Sequence, residues 1–163
     1  MKSVEDINKA IGMNPDNANY YWELGAYLIS GELELHGKIC TEESVTVLES
    51  AVEKYRISLC KDPINQYAWI NLIEVHLLLK RWDEAICHFG SSKPFVSSNS
   101  LQVIRYFLGG LAIILSGEEF DFRNNPILHD YSLRVSNDDC RTKEIESLLT
   151  ELEDSGIDGS IIF

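Results

Sequence analysis

The stretch from Ala51 to Phe89, AVEKYRISLCKDPINQYAWINLIEVHLLLKRWDEAICHF, decides how the rest of the chain is read. Its two ends repeat each other: a displacement that carries Ala51 onto Ala85 also carries Tyr55 onto Phe89. Its middle repeats what precedes it. A longer displacement carries Tyr21-x2-Leu24 onto Trp69-x2-Leu72 and Pro15 onto Pro63. The two displacements differ by fourteen positions, and the difference arises between Leu28 and Ala51. One unit therefore has the length from Ala51 to Ala85, and the unit before it carries a fourteen-position insertion between its halves. The small residues Gly25, Ala51 and Ala85 allow two helices to approach closely, while Tyr55, Trp69 and Phe89 fill the gaps between them. Pro15 and Pro63 each end one helix and hold the chain extended before the next. A single helix pair of this kind cannot bury its apolar face, so neighbouring pairs must stack.

These residues resemble the tetratricopeptide repeat, a helix–turn–helix unit of about 34 residues. Its pattern runs aromatic-x2-Leu-Gly-x2-Tyr, then Ala-x3-aromatic, then proline. The first full unit offers Tyr21-x2-Leu24-Gly25-x2-Leu28, Ala51-x3-Tyr55 and Pro63. The second offers Trp69-x2-Leu72-Ile73-x2-His76 and Ala85-x3-Phe89, with Ser97 at the proline position. Ile7, Ala10 and Pro15 sit where a preceding second helix would end, and Leu108-Gly109 fits a third first helix displaced two places by the loop SSKPFVSSNS. The resemblance covers about residues 3–116. It implies an all-α fold, a short right-handed solenoid of helical hairpins over residues 1–117, with the first hairpin elongated by the insertion.

The resemblance also implies a concave groove, lined by the first helices, in which a segment of another protein lies extended or helical. The groove positions are Asn19, Trp22, Ala26 and Ile29 in the first unit, and Tyr67, Ile70, Asn71, Glu74 and Leu77 in the second. One branch of the family clamps the carboxyl-terminal tails of heat-shock chaperones with lysines, arginine and asparagines at such positions. Here only Asn71 remains of that set, and Trp22 and Ala26 stand in place of the lysine and asparagine of the first helix. The carboxylate clamp is absent. What is left is an aromatic and aliphatic surface with an acid at Glu74. Such a surface gains affinity by burying apolar area, at roughly 25 cal/mol per Å², with Trp22 and Tyr67 as anchors and Asn71 holding a peptide backbone.

Fourteen inserted positions make nearly four helical turns. Thr41 before Glu42 and Glu43 has the form of an N-cap with acids in the first turn. Gly31 and Gly37 disfavour continuation of the first helix, at about 1 kcal/mol each. The balance favours elongation of the second helix, with a loop near residues 37–40. The segment GELELHGK only imitates a phosphate-binding loop, having five residues between its glycines and Ile39 where a hydroxyl must bind magnesium.

Leu101 to Leu115 is apolar nearly all round and should be buried on several sides. At about 1.5 Å per residue it is too short for a hydrocarbon core of roughly 30 Å, so no membrane association is expected. Residues 118–141 show no sustained period. From Thr142, Ile145, Leu148, Leu149 and Leu152 share one helical face, which predicts an amphipathic capping helix over about 142–155 within an acidic segment, 118–163. The closing Ile161-Ile162-Phe163 is apolar, a frayed end or a segment that docks into a groove of this or another copy.

The 163 residues carry a net charge of −12 and a pI near 4.7, and −8 of that charge falls in residues 118–163. A surface so acidic repels a phosphate backbone, so no nucleic-acid partner is expected. The acidic segment keeps the chain soluble or meets a basic partner. The opening MKSVEDINKAIGMNPDN lacks the apolar run of a signal peptide. Cys40, Cys60, Cys87 and Cys140 lack metal or redox spacing and suit buried free thiols in a reducing cytoplasm. His76, Cys87 and His88 could be joined into a metal site only if adjacent residues shared a helix face, which they do not. His76 therefore fits a packed histidine whose polar tip needs a partner.

Neither HExxH, a nucleophile elbow, GxGxxG nor a calcium loop occurs, and His129-Asp130 is the only candidate dyad. No catalytic residue, metal or cofactor is expected. The function expected is therefore a non-enzymatic scaffold or adaptor that binds a peptide or helix of another protein. The alternative is a dedicated small acidic chaperone or neutralising partner, such as a secretion chaperone, for which a homodimer or a co-purifying cargo is expected. An enzyme with a motif-free site is the remote third reading.

Overall fold

A computed structural model of the chain describes residues 3–36 and 42–121, and within these every regular element is an α-helix. In chain order they are α1 (Val4–Met13), α2 (Ala18–His36), α3 (Glu42–Lys61), α4 (Gln66–Leu78), α5 (Trp82–Ser91) and α6 (Asn99–Leu115). The all-α expectation holds over the described residues. The expected capping helix at 142–155, the closing apolar residues, Thr41, Cys40, Cys140 and His129-Asp130 lie outside the described residues.

Local chemistry sets the ends of these helices. Ser3 caps α1 through a reciprocal pair, its hydroxyl accepting from the Asp6 N–H at 3.1 Å while its own N–H donates to the Asp6 carboxylate at 3.0 Å. These bonds hold the Asp6 carboxyl below its ordinary pKa. Asn65 caps α4 by accepting from the Ala68 N–H at 3.2 Å. The longer sequence repeat reappears as a repeated hydrogen bond. The Tyr21 hydroxyl donates to the Pro15 carbonyl at 3.0 Å, and the Trp69 indole donates to the Pro63 carbonyl at 2.8 Å. In both units, then, an aromatic residue in the first turn of the helix ties down the proline turn that precedes it.

The insertion lengthens both helices of its hairpin. With 19 residues in α2 and 20 in α3, against 13 in α4 and 10 in α5, the extra turns are shared and not confined to the second helix. Gly31 lies inside α2, where a Cβ would meet nothing within 4 Å. Its conformational penalty of about 1 kcal/mol is too small to stop a helix packed along α3.

Each helix packs on the next, from α1–α2 through α5–α6, and the alternate pairs α2–α4 and α4–α6 also touch. Two clusters form the interior. Ile29, Leu48, Ala51, Val52 and Tyr55 meet Leu72, Val75 and Leu78 of α4 in one of them. Ile70, Ile73 and Leu77 of the same helix meet Ala85, Val96, Phe107, Leu108 and Leu111 in the other. Thus α4 is shared by both clusters and is buried without interruption from Ile70 to Leu78. The Leu101–Leu115 stretch forms most of α6, with Phe107 to Ala112 continuously enclosed. Among the described residues no helix is long and apolar enough to cross a membrane.

The turn between α4 and α5 has an unexpected backbone. Lys80 adopts φ 57°, the left-handed region, so that its N–H reaches the Leu77 carbonyl at 2.9 Å and the Arg81 N–H reaches the His76 carbonyl at 2.8 Å. This is the helix-ending loop that normally carries glycine, as α6 does at Gly117 with φ 96°. Lys80→Gly should therefore stabilise the chain by about 1 kcal/mol, read as a higher urea midpoint at unchanged slope. Arg81, next in the chain, pairs with Glu49 and ties this turn to α3. The pairing lowers the Glu49 pKa and raises that of Arg81.

Candidate binding groove

The expected groove positions lie on α2 and α4, which touch each other. Trp22 of α2 and Tyr67 of α4 form a tilted ring pair with centroids 5.4 Å apart. Tyr67 is 50% exposed, so part of its ring is accessible to a partner. Beneath this pair runs a polar chain. The Trp22 indole N–H donates to Asn71 Oδ1 at 3.0 Å, and Asn71 Nδ2 donates to Glu74 Oε2 at 2.8 Å. At the rim, Asn65 Nδ2 donates to Ser58 Oγ at 3.3 Å and to Asn19 Oδ1 at 3.5 Å, linking α3, the α4 cap and α2.

The nine expected positions divide by burial. Asn19 and Tyr67 are exposed, and Trp22 and Ala26 are half-buried. Ile29 packs into the α2–α3 cluster, and Ile70 and Leu77 pack into the cluster shared with α6. Asn71 and Glu74 are buried as well. Asn71 therefore serves as a tie between α2 and α4, where the sequence suggested a hook for a peptide backbone. The burial comes from two sides: Ile70 and Leu77 enter the cluster that includes α6, whereas Asn71 and Glu74 are held in the hydrogen-bonded chain that starts at Trp22 of α2. The accessible surface is thus smaller than the nine residues, comprising Asn19, Trp22, Ala26 and Tyr67.

The histidines fall elsewhere. His76 of α4 is fully buried and stacks on His88 of α5, with ring centroids 5.0 Å apart and planes at 24°. Near-parallel stacked rings hold their nitrogens in separate planes, and Cys87, like Cys60, is exposed to solvent and not buried as the sequence suggested. No group of three or more His, Cys, Asp or Glu residues suited to a metal ion occurs among the described residues. His88 also meets the Trp69 ring, 6.3 Å away and tilted by 52°, and Trp69 lies flat on Phe95 at 5.5 Å.

Arg105 is the functional-looking residue that sequence reasoning missed. It is buried on α6, its Nε donating to Ser92 Oγ at 2.7 Å and its other nitrogens to Gln102 Oε1 and the Phe89 carbonyl. Its guanidinium lies 4.4 Å from the centre of the Phe89 ring. Burial lowers its pKa, yet the group stays charged, because a guanidinium starts so far above neutrality. These partners are all neutral, and the residue joins α5 to α6 instead of presenting charge to a ligand.

No protein-family model matches the chain, and no curated protein is significantly similar to it.

Proposed function

We propose that the chain is a short right-handed solenoid of tetratricopeptide type, with an elongated first hairpin, and that it binds a peptide or helix of another protein. The observation that carries this reading is the aromatic pair Trp22–Tyr67, held across two first helices and left open to solvent at Tyr67. The contacts between alternate helices α2, α4 and α6 support a superhelical stack, since a closed bundle of six would bring other pairs together. So does the hydrogen bond repeated at Pro15 and Pro63. The partner supplies an apolar side chain to rest on Tyr67 and Ala26, and a polar group for Asn19. Because Trp22 is braced by Asn71, this platform is rigid before binding, which lowers the entropic cost of recognition.

The experiment is a binding isotherm with a partner captured by pull-down. Trp22→Ala with Tyr67→Ala should weaken binding by about 2 kcal/mol, close to 30-fold. Tyr67→Ala alone is the cleaner variant, since Tyr67 is half exposed and its loss leaves the Asn71–Glu74 bond in place. Unchanged affinity in both variants removes the groove from consideration.

A second reading, a dedicated chaperone or neutralising partner, is favoured by a separate observation. Met13 at the end of α1 and Ile64 in the turn before α4 are 80% and 70% exposed, on the edge where Lys61 meets Asp16 at 3.2 Å. Apolar side chains left in solvent there suit a covering cargo or a second copy. Light scattering on the purified chain separates the two: a monomer near 18.5 kDa fits an adaptor, whereas a dimer or a co-eluting protein fits the chaperone.

A further inference from the structure

His76 is the least comfortable polar group in the interior. It is fully buried, and neither of its ring nitrogens has a hydrogen-bond partner among the described residues. A buried group of this kind costs free energy even when neutral, and far more once charged. Its surroundings make the charged form worse. The ring stacks on His88 of α5, itself held below its ordinary pKa by burial. From α3 it feels Arg56 and also Glu49, whose charge is engaged by Arg81 of the following turn. From α5 the one opposing influence is Glu84. Toward the other neighbours of α4, Glu74 points about 200° round the helix from His76 and is tied to Asn71. Arg105 of α6 is occupied with Phe89 and Ser92.

We propose that the α4–α5 hairpin is an acid-opened joint: it closes only around a neutral His76, and protonation of that ring against His88, Arg56 and Arg81 separates α5 from α4. The hairpin is otherwise held by its short turn, which the Arg81–Glu49 pair ties to α3, and by the apolar cluster that joins Ile73 and Leu77 to Ala85, and the His76–His88 stack is the polar part of this seam.

The direction of the effect follows from linkage. Burial and the neighbouring cations push the His76 pKa down from its ordinary 6.5 to about 4. Above pH 6.5 the ring is neutral whether the hairpin is closed or open, so nothing is lost. As the pH falls below 6.5 the open form takes up the proton first, and the closed form loses ground until the pH passes about 4. From this ring alone the closed-to-open ratio should fall about 70-fold between pH 7.5 and 4.5.

The test compares urea unfolding of the wild type and His76→Phe, which keeps a flat ring against His88, at those two pH values. The wild type should lose about 70-fold more in its folding constant than the variant. Amide exchange near pH 5 should rise in α4 and α5 of the wild type and not in His76→Phe. Parallel losses in the two proteins overturn the proposal. If His76→Phe does not fold, proton NMR of the wild type decides: titration of His76 far below the usual histidine range supports the joint, and titration near 6.5 overturns it.

Discussion

Replacing Tyr55 by alanine should destabilise the chain by about 4 kcal/mol, and the loss should be coupled to a glycine on another helix. Tyr55 is fully buried and stands in the cluster with Leu48, Ala51 and Val52, between α3 and α2. On the facing helix, a Cβ added to Gly25 would come 2.7 Å from Cε1 of the Tyr55 ring. The glycine and the ring are therefore one steric unit. Gly25→Ala gains about 1 kcal/mol in helix propensity but forces the ring aside, so in the wild type it should destabilise by about 2 kcal/mol net. Once Tyr55 has become alanine the obstacle is gone, and the same Gly25→Ala change should turn stabilising by about 1 kcal/mol. Urea unfolding of the four proteins measures the coupling, expected near 3 kcal/mol, and simple additivity would show that the ring does not rest on the glycine.

That pairing is legible in the sequence because it is steric and local in pattern. Ala-x3-aromatic and aromatic-x2-Leu recur at fixed displacements because a helix pair needs a small residue on one side and a ring on the other. The repeated proline turns are legible for a similar reason, since proline at Pro15 and Pro63 constrains the backbone whatever surrounds it. The fate of α4 is not. Its sequence, QYAWINLIEVHLL, carries apolar residues on every side, the same signal that marks Leu101–Leu115 as buried. The register of the tetratricopeptide resemblance would assign Ile70, Asn71, Glu74 and Leu77 to an open groove, whereas the helix lies between two clusters and spends those residues on its neighbours. The Trp22–Asn71–Glu74 chain spans 49 residues of sequence at its first bond, a polar contact that no local period announces. Lys80 in the left-handed region gives no sign in the sequence, because the usual marker, glycine, is missing from that turn.

Within α5 and α6, two glycines lie close to one aromatic ring, and alanine at each should have opposite effects. Gly90 follows Phe89 in α5, and a Cβ there would meet nothing within 4 Å. Gly90→Ala should stabilise the chain by about 1 kcal/mol through helix propensity alone. At Gly109 of α6, by contrast, a Cβ would overlap Cδ2 and Cγ of the Phe89 ring and come 2.7 Å from Cδ1. The ring cannot retreat freely. Tyr106 meets it edge-on at 5.6 Å, and the Arg105 guanidinium lies over it while also bonding the Phe89 carbonyl and the Ser92 hydroxyl. Pushing Phe89 aside therefore disturbs a buried cation that has no carboxylate among its described partners, and the cost of a stranded charge adds to that of the clash. Gly109→Ala should destabilise by about 3 kcal/mol, toward the upper end of overpacking effects. Phe89→Leu in the same chain should return part of that loss by making room for the methyl group. Thermal unfolding of the three variants reads this directly. Equal effects at Gly90 and Gly109 would mean that helix propensity, and not the seat of Phe89, governs the α5–α6 contact.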